Sequence, residues 1–496
     1  MMPNPDVKRE PTILQTIIPI SLLIGLLACS VYLFGADSSY GPNQIALILA
    51  AGMGIIIGIR NGFTWKELEA GIVHSISLSM GAILILLVVG SLIGTWILSG
   101  IVPTMIYYGL IILSPTFFYP LAAIICAIVA LATGSSWTTA STIGIALIGI
   151  ATALQLNLAI TAGAIISGSY FGDKLSPLSD TTNLAPAIAG TDLITHIRHM
   201  LWTTLPSMAI AIILYLIIGL FTIKSGELVQ LKPFLDAING SFNVHWYLLI
   251  PPALVILMVI KKMPALPALL IGALLGGLFA VFFQQEAILK YVADADLNRP
   301  VALLKGVWMA MFTEYRSETG HAALDELLSR GGMSSMLNTI WLIVSAMMFG
   351  GVMEKTGILT RIANIVLGFA NSTGKLVLST LATCAGINVI AGDQYISIVI
   401  PGRMYRAEFE KRRLHPKNLS RCLEDSGTLT SPLIPWNTCG AFMAAALGVP
   451  TYLYLPFAFL NLLNPPISIF YGFTGFSMDK IKDSDVAEES EDLQAA

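Results

Sequence analysis

Residues 168–183 read GSYFGDKLSPLSDTTN. They sit between apolar runs, 157–167 before and 184–190 and 200–222 after, that would otherwise read as membrane spans. Inside this frame stand two acids, Asp173 and Asp180, with Lys174, Pro177 and a cluster of hydroxyls. An acid at a bilayer centre costs about 2.5–3.5 kcal/mol on insertion scales. Irregular backbone survives at that depth only when buried in protein or lining a wet cavity. Pro177 removes a backbone donor and crowds the preceding turn. The stretch therefore reads as an interrupted helix whose freed carbonyls, carboxylates and hydroxyls hold a small cation. The competing reading is an extramembrane loop with an ordinary Asp173–Lys174 contact. The second half of the chain weighs against it.

Composition sets the frame. The 496 residues are 55% hydrophobic and 11% charged, with mean hydropathy +0.77. Soluble domains carry about 25% charged residues, so the chain reads as an all-α polytopic membrane protein. A net charge of −3 gives no reason to expect nucleic acid. The cysteines at 29, 126, 384, 422 and 439 are scattered and form no CxxC, so they read as apolar fillers. The first apolar run, 12–34, is longer than a signal-peptide core.

Outward from the opening stretch, spans are expected at 12–34, 43–59, 72–99 and 200–222. Residues 101–116, bracketed by Pro103 and Pro115, are expected along the membrane interface. Apolar arms at 117–133 and 139–155 enclose GSSWTTAS, the tip of a re-entrant hairpin. The second half repeats this order. Spans are expected at 246–260, 265–283, 335–352 and 452–474, with a mixed-charge loop at 285–333. An amphipathic segment covers 358–371, arms at 376–391 and 395–402 flank GDQY, and a second interrupted stretch covers 422–447. This divides the chain into a cytoplasmic segment 1–11, a repeat 12–222, a connector 223–244, a repeat 245–475 and an acidic tail 476–496.

Landmarks recur at nearly one offset. Gly94 and Gly100 match Gly351 and Gly357 (351 − 94 = 257), Gly134 matches Gly392 (258), and SPL at 176–178 matches SPL at 431–433 (255). Lys8, Arg9, Arg60 and Lys66 mark the cytoplasmic side in the first half. In the second half Lys261, Lys262, Lys355, Arg361 and the basic stretch 403–421 fall where the first half has no Lys or Arg. Swapped charge on matching connectors is the mark of two inverted-topology repeats. Five crossings and one hairpin per half place both termini in the cytoplasm of a bacterial-type inner or plasma membrane.

In such a transporter the site lies near the midplane, at helix breaks from both halves. The candidates are Ser135, Ser136 and Thr138 at the first tip, and Asp173, Ser176, Asp180, Thr181, Thr182 and Asn183 at the first break. The second tip adds Asp393, and the second break adds Asp425, Ser431 and Asn437. Gln394, Tyr395 and Thr438 stand among them. Oxygen-rich, sulfur-poor sites suit hard cations, so Asp173, Asp180 and Asp393 are the expected Na+ ligands. On an unbroken helix Asp173, Ser176 and Asp180 would share a face, with the acids about 10 Å apart along the axis. A carboxylate that cannot hold a proton and Na+ at once gives obligatory exchange. Simpler roles compete. Asp173 could pair with Lys174, Glu424 or Asp425 with Arg421, and Glu354 with Lys355 at the membrane edge. His196 and His199 read as interfacial.

GSYFGDKLSPLSDTTNLA (168–185), GTWILSGIVPTMIYYG (94–109) and TGSSWTTASTIG (133–144) resemble hallmark segments of the NhaC family of Na+/H+ antiporters, which includes malate–lactate antiporters. The similarity covers about 12–474. It implies a secondary transporter with inverted repeats and re-entrant hairpins, and it favours Asp173, Asp180 and their Ser, Thr and Asn neighbours as site residues. The expectation is Na+/H+ exchange by alternating access, with no cofactor beyond the transported ions and no enzymatic chemistry. Partners are Na+, protons and lipid, and a homodimer is compatible. The first alternative is Na+/H+-coupled carboxylate exchange, with Lys174, Asn183 and Asn437 as the donors near the breaks. An ion channel fits less well, because the polar residues cluster between apolar runs instead of forming a continuous path.

Overall fold

The computed structural model describes residues 8–222, 231–294 and 296–481. Residues 1–7, connector residues 223–230 and most of the expected acidic tail lie outside the described residues. Elsewhere the chain is helical, with only two isolated bridges, Tyr315–Arg330 and Leu414–Lys480, among the described residues. Among the described residues nine helices are long and apolar enough to cross a membrane, or up to eleven if two bent pairs each count as one.

The first repeat opens with α1 (Ile13–Phe34) and α2 (Pro42–Arg60), followed by α3 (Trp65–Leu78) and α4 (Met80–Leu98). The expected single span at 72–99 is thus divided. At the junction the Ser79 hydroxyl donates to the Ile76 carbonyl at 2.9 Å, a side-chain bond that competes with the helix ladder. Next comes α5 (Ile101–Ile112), within the segment expected along the interface. Its Ile101, Ile106 and Leu110 are buried, and it packs against α4 and the second hairpin arm.

That hairpin consists of α6 (Phe118–Thr133), α7 (Ser136–Thr139) and α8 (Ile145–Ala153), with a π-helical turn, Ala140–Gly144, joining the last two. The opening stretch is α9 (Leu158–Leu175) and α10 (Asp180–Ala189), and α11 (Leu193–Thr222) closes the repeat. Asp173 and Asp180 therefore share no helix. Pro177 cannot donate, and the carbonyls freed at Asp173 and Lys174 accept from the Thr182 hydroxyl at 3.1 and 3.0 Å. Along the hairpin α6 lies tight on α9, because Gly172 has no side chain. A Cβ there would sit 2.3 Å from the Leu131 nitrogen.

Between the repeats lies α12 (Leu231–Ser241). The second repeat then runs through α13 (Ile250–Ile260) and α14 (Ala265–Phe283). The loop expected at 285–333 is instead largely helical: α15 (Gln285–Val292), α16 (Arg299–Phe312) and α17 (Ala322–Leu328). Leu303, Gly306 and Ala310 of α16 are buried, so a charge count alone misjudged it. Next come α18 (Leu337–Lys355), α19 (Ile358–Leu367) and the second hairpin, α20 (Thr373–Ala391) and α21 (Gln394–Lys411). The second break runs from α22 (Pro416–Cys422) through a π-helical turn, Leu423–Thr428, to α23 (Thr438–Leu447). After it stand α24 (Thr451–Tyr454) and the last span, α25 (Phe459–Thr474).

The repeats match in their caps. Gly134 and Gly392 end the first hairpin arms at φ +67 and +68, left-handed positions that Gly takes without a Cβ penalty. A pair unnoticed in the sequence completes the set: Gly190 and Gly448 cap α10 and α23 (448 − 190 = 258). Leu14, Ile24, Phe221 and Phe282 are all more than half exposed, as a lipid-facing surface requires.

Candidate functional site

Each hairpin tip is built by a helix cap. Ser135 caps α7, its Oγ accepting from the Thr138 nitrogen at 3.1 Å. Its counterpart, Asp393, caps α21, with Oδ1 accepting from the Tyr395 and Ile396 nitrogens at 2.8 and 3.1 Å. A polar cap side chain satisfies orphan N–H groups, so each tip keeps a polar residue for local reasons as well.

The tips and the first break meet at a cavity of about 750 Å³. Ser135, Ser136, Asp173, Asp180, Thr181 and Asp393 line it, as do Gln394, Tyr395 and Thr438. Asp173 is buried and accepts from Ser136 twice, from Oγ at 2.6 Å and from the backbone nitrogen at 3.2 Å. The first break is thus tied to the first tip. Asp180 opens α10 and is exposed to the cavity. The first residues of α7, α10, α21 and α23 (Ser136, Asp180, Gln394 and Thr438) all lie on its wall. Helix N-termini carry about half a positive charge each, and all four favour negative groups there. Ser79, from the α3–α4 junction, and Lys262, from the α13–α14 turn, complete the wall. Trp137 at the first tip stacks on Phe442 of α23 at 4.0 Å, which joins the two repeats beside the cavity.

Three acids share these walls without forming one cage. Among the described residues no three His, Cys, Asp or Glu side chains come close enough to hold a metal together. A cation here would draw on hydroxyl and carbonyl oxygens as well as carboxylates.

The remaining candidates lie off the cavity. The Ser176 hydroxyl accepts from the Leu178 nitrogen at 3.3 Å, within the break. Thr182 closes the end of α9. Asn183 is exposed and donates to the Pro177 and Ser179 carbonyls at 2.9 and 2.7 Å. Thr138 is buried behind Ser135. The Ser431 hydroxyl donates to the Thr428 carbonyl at 2.7 Å. Asn437 caps α23 and donates to the Asn388 side chain at 3.0 Å.

Asp425 is bound elsewhere as well. It forms a fully buried ion pair with Lys174 and accepts from the Thr203 hydroxyl at 3.0 Å. Lys174 also donates to the Asn464 side chain at 3.2 Å. The competing Asp173–Lys174 pairing is not what forms: Asp173 meets Ser136 and Lys174 meets Asp425, because consecutive residues on a helix point about 100° apart. The three donors expected for an organic anion, Lys174, Asn183 and Asn437, are all engaged in these internal bonds. Sequence reasoning missed Ser79, Thr203 and Asn464 altogether. It read Lys262 only as a sign of orientation.

A model of the Na+/H+ antiporter family matches residues 168–476, from the opening stretch through the last span. The chain belongs to this Na+/H+ antiporter family. It is a multi-pass membrane transporter and not an enzyme. Within this family it is 37% identical to the Na+/H+ antiporter NhaC of Alkalihalophilus pseudofirmus, over 95% of this chain and 98% of that one. It is 38% identical to the malate-2H+/Na+-lactate antiporter of Bacillus subtilis, over 94% and 96%. It is 37% identical to the arginine/ornithine antiporter ArcD of Halobacterium salinarum, over 99% and 98%. At one level of similarity, these antiporters are named for three different cargoes.

Proposed function

We propose that this member of the Na+/H+ antiporter family exports Na+ in exchange for protons by alternating access. The observation that carries the reading is the cavity shared by both tips and the first break, with Asp173, Asp180 and Asp393 on its walls. Na+ is held by a carboxylate together with hydroxyl and carbonyl oxygens, a donor set suited to a hard cation. A carboxylate occupied by Na+ excludes a proton, which couples the two flows. Basic connectors set both termini in the cytoplasm. By the same rule Lys262, on the cavity wall, faces the cytoplasmic side, the side from which Na+ must load. No cofactor enters this scheme, and two copies could function side by side.

A second reading, Na+/H+-coupled exchange of a small carboxylate, is favoured by two features. The cavity falls within the ~300–1,000 Å³ range of small-molecule sites, far more than one ion requires. Four helix N-termini and Lys262 face it, and such termini bind carboxylates.

The test uses purified protein in sealed liposomes with an interior pH dye. Na+ alone should move protons. Proton movement only when malate or lactate accompanies Na+ would shift the assignment to the carboxylate exchanger.

A further inference from the structure

The cavity acids leave one carboxylate unused. Glu424 lies in the π-helical turn Leu423–Thr428 and is completely buried. No hydrogen bond reaches either of its oxygens. The hydroxyls of Thr428 and Thr181 are its neighbours, and the Thr428 hydroxyl is itself unpartnered. So is the Asn464 amide nitrogen on α25, whose oxygen holds Lys174. An unpaired ionised carboxylate away from water costs several kcal/mol. A carboxylate kept there needs a proton or a cation. A proton needs only one oxygen.

The groups around Glu424 suit this use. On α9, Lys174 faces it, already paired with Asp425, and so does Asp173. Its own segment carries Arg421, whose Nε is 3.8 Å from Asp425. On α20 a titratable neighbour of the turn is Cys384, and the α21 Tyr405 beside it is bonded to the Thr383 hydroxyl. At the start of α10, Asp180 lies on the cavity side of Thr181. Thr181 lines the cavity and neighbours Glu424, so its hydroxyl can relay a proton between the two. π-helical turns recur at functional sites.

We infer that Glu424 is a second proton-carrying site, separate from the cavity acids and reached through Thr181. The inference rests on the antiport reading above. When Na+ occupies the cavity, Glu424 releases its proton as H+ through Thr181. When Na+ leaves, the carboxylate takes one proton back. The exchange then moves more than one proton per Na+ and carries net charge.

The test compares wild type with Glu424→Gln in liposomes, with the membrane voltage set by K+ and valinomycin. Wild-type Na+ movement should respond to voltage. Folded E424Q should keep Na+-driven proton movement and lose the voltage response. A wild type indifferent to voltage, or an E424Q with the wild-type proton-to-sodium ratio, overturns the second site. So does a folded E424Q that moves neither ion, since Glu424 would then belong to the single exchange step. A wild type without Na+-driven proton movement overturns the antiport reading instead. Infrared difference spectra then decide Glu424 by itself: a pH-dependent carboxylic-acid band should be present in wild type and absent in E424Q, and its persistence in E424Q removes the assignment. If E424Q does not fold, Glu424→Asp replaces it. E424D should keep the voltage response with a displaced pH profile, and an unchanged profile counts against the proposal.

Discussion

Lys174 and Asp425, 251 residues apart, form a fully buried ion pair that joins the interrupted helix of the first repeat to that of the second. Neither partner lines the cavity, and the pair ties the two breaks together. Removing one partner of a buried pair costs about 3–5 kcal/mol. The two removals should differ. Lys174→Met leaves Asp425 with Arg421 at 3.8 Å and the Thr203 hydroxyl at 3.0 Å. Asp425→Asn leaves two buried cations beside each other and should destabilise more. Thermal unfolding of the purified variants orders them, and equal midpoints would dismiss the role given to Arg421.

The cavity acids should respond through transport and not through folding. Asp173→Asn and Asp180→Asn should each abolish Na+-driven proton movement while the protein inserts and purifies normally. Ser136→Ala removes one of the two bonds to Asp173. A hydrogen bond to a charged group contributes about 1.5–3 kcal/mol, so half-saturation should need roughly tenfold more Na+ or above. Full exchange in the Asp180→Asn protein would end that residue's assigned role.

Two glycines separate close packing from mere helix membership. Gly172→Ala places a Cβ against the backbone of α6, 2.4 Å from the Ala127 oxygen. The variant should lose the folded protein, seen as a collapsed size-exclusion peak. Gly386 in α20 has nothing within 4 Å of a built Cβ. Gly386→Ala should be stable, gaining up to about 1 kcal/mol of helix propensity.

A pH effect is expected where the chain leaves the last span. Lys417 lies 2.6 Å from Asp479 and holds its carboxyl below the usual carboxylate range. The same strand of chain is tied by the His415 nitrogen to the Asp479 carbonyl at 2.9 Å. Because the folded value is depressed, the stabilisation is present above the unfolded value of about 3.9 and is lost as pH falls through the folded one. Asp479 is half exposed, so the contribution of the pair stays below about 1 kcal/mol. Hydrogen exchange at 475–481 should quicken only in acid, and Asp479→Asn should remove that dependence.

Much of this architecture was legible in the sequence. Pro177 and the acids around it announced a broken helix, since a chain in lipid cannot leave donors unpaired without a reason. The glycine offsets announced the duplication, because a left-handed cap accepts few other residues. Less legible was which side of a helix each polar residue takes. Asp173 and Lys174 are neighbours in sequence, yet one meets the first tip and the other meets the second repeat. Asn183 and Asn437 looked like ligands, and in the structure their amides bond the backbone and a neighbouring asparagine. Glu424 and Asp425 looked alike, and the structure pairs Asp425 with Lys174 and leaves both Glu424 oxygens without a hydrogen bond.

The amino-acid sequence by itself determined the class of molecule, the two-fold repetition, the places where helices break and the family. These follow from hydrophobicity, proline and glycine, whose effects act locally. Tertiary structure alone decided which oxygens face the shared cavity, that Lys174 belongs to Asp425, and that Glu424 is stranded behind the wall. Those outcomes depend on the rotation of each helix about its axis. One residue of rotation turns a side chain by about 100°, and packing against the other repeat sets that angle.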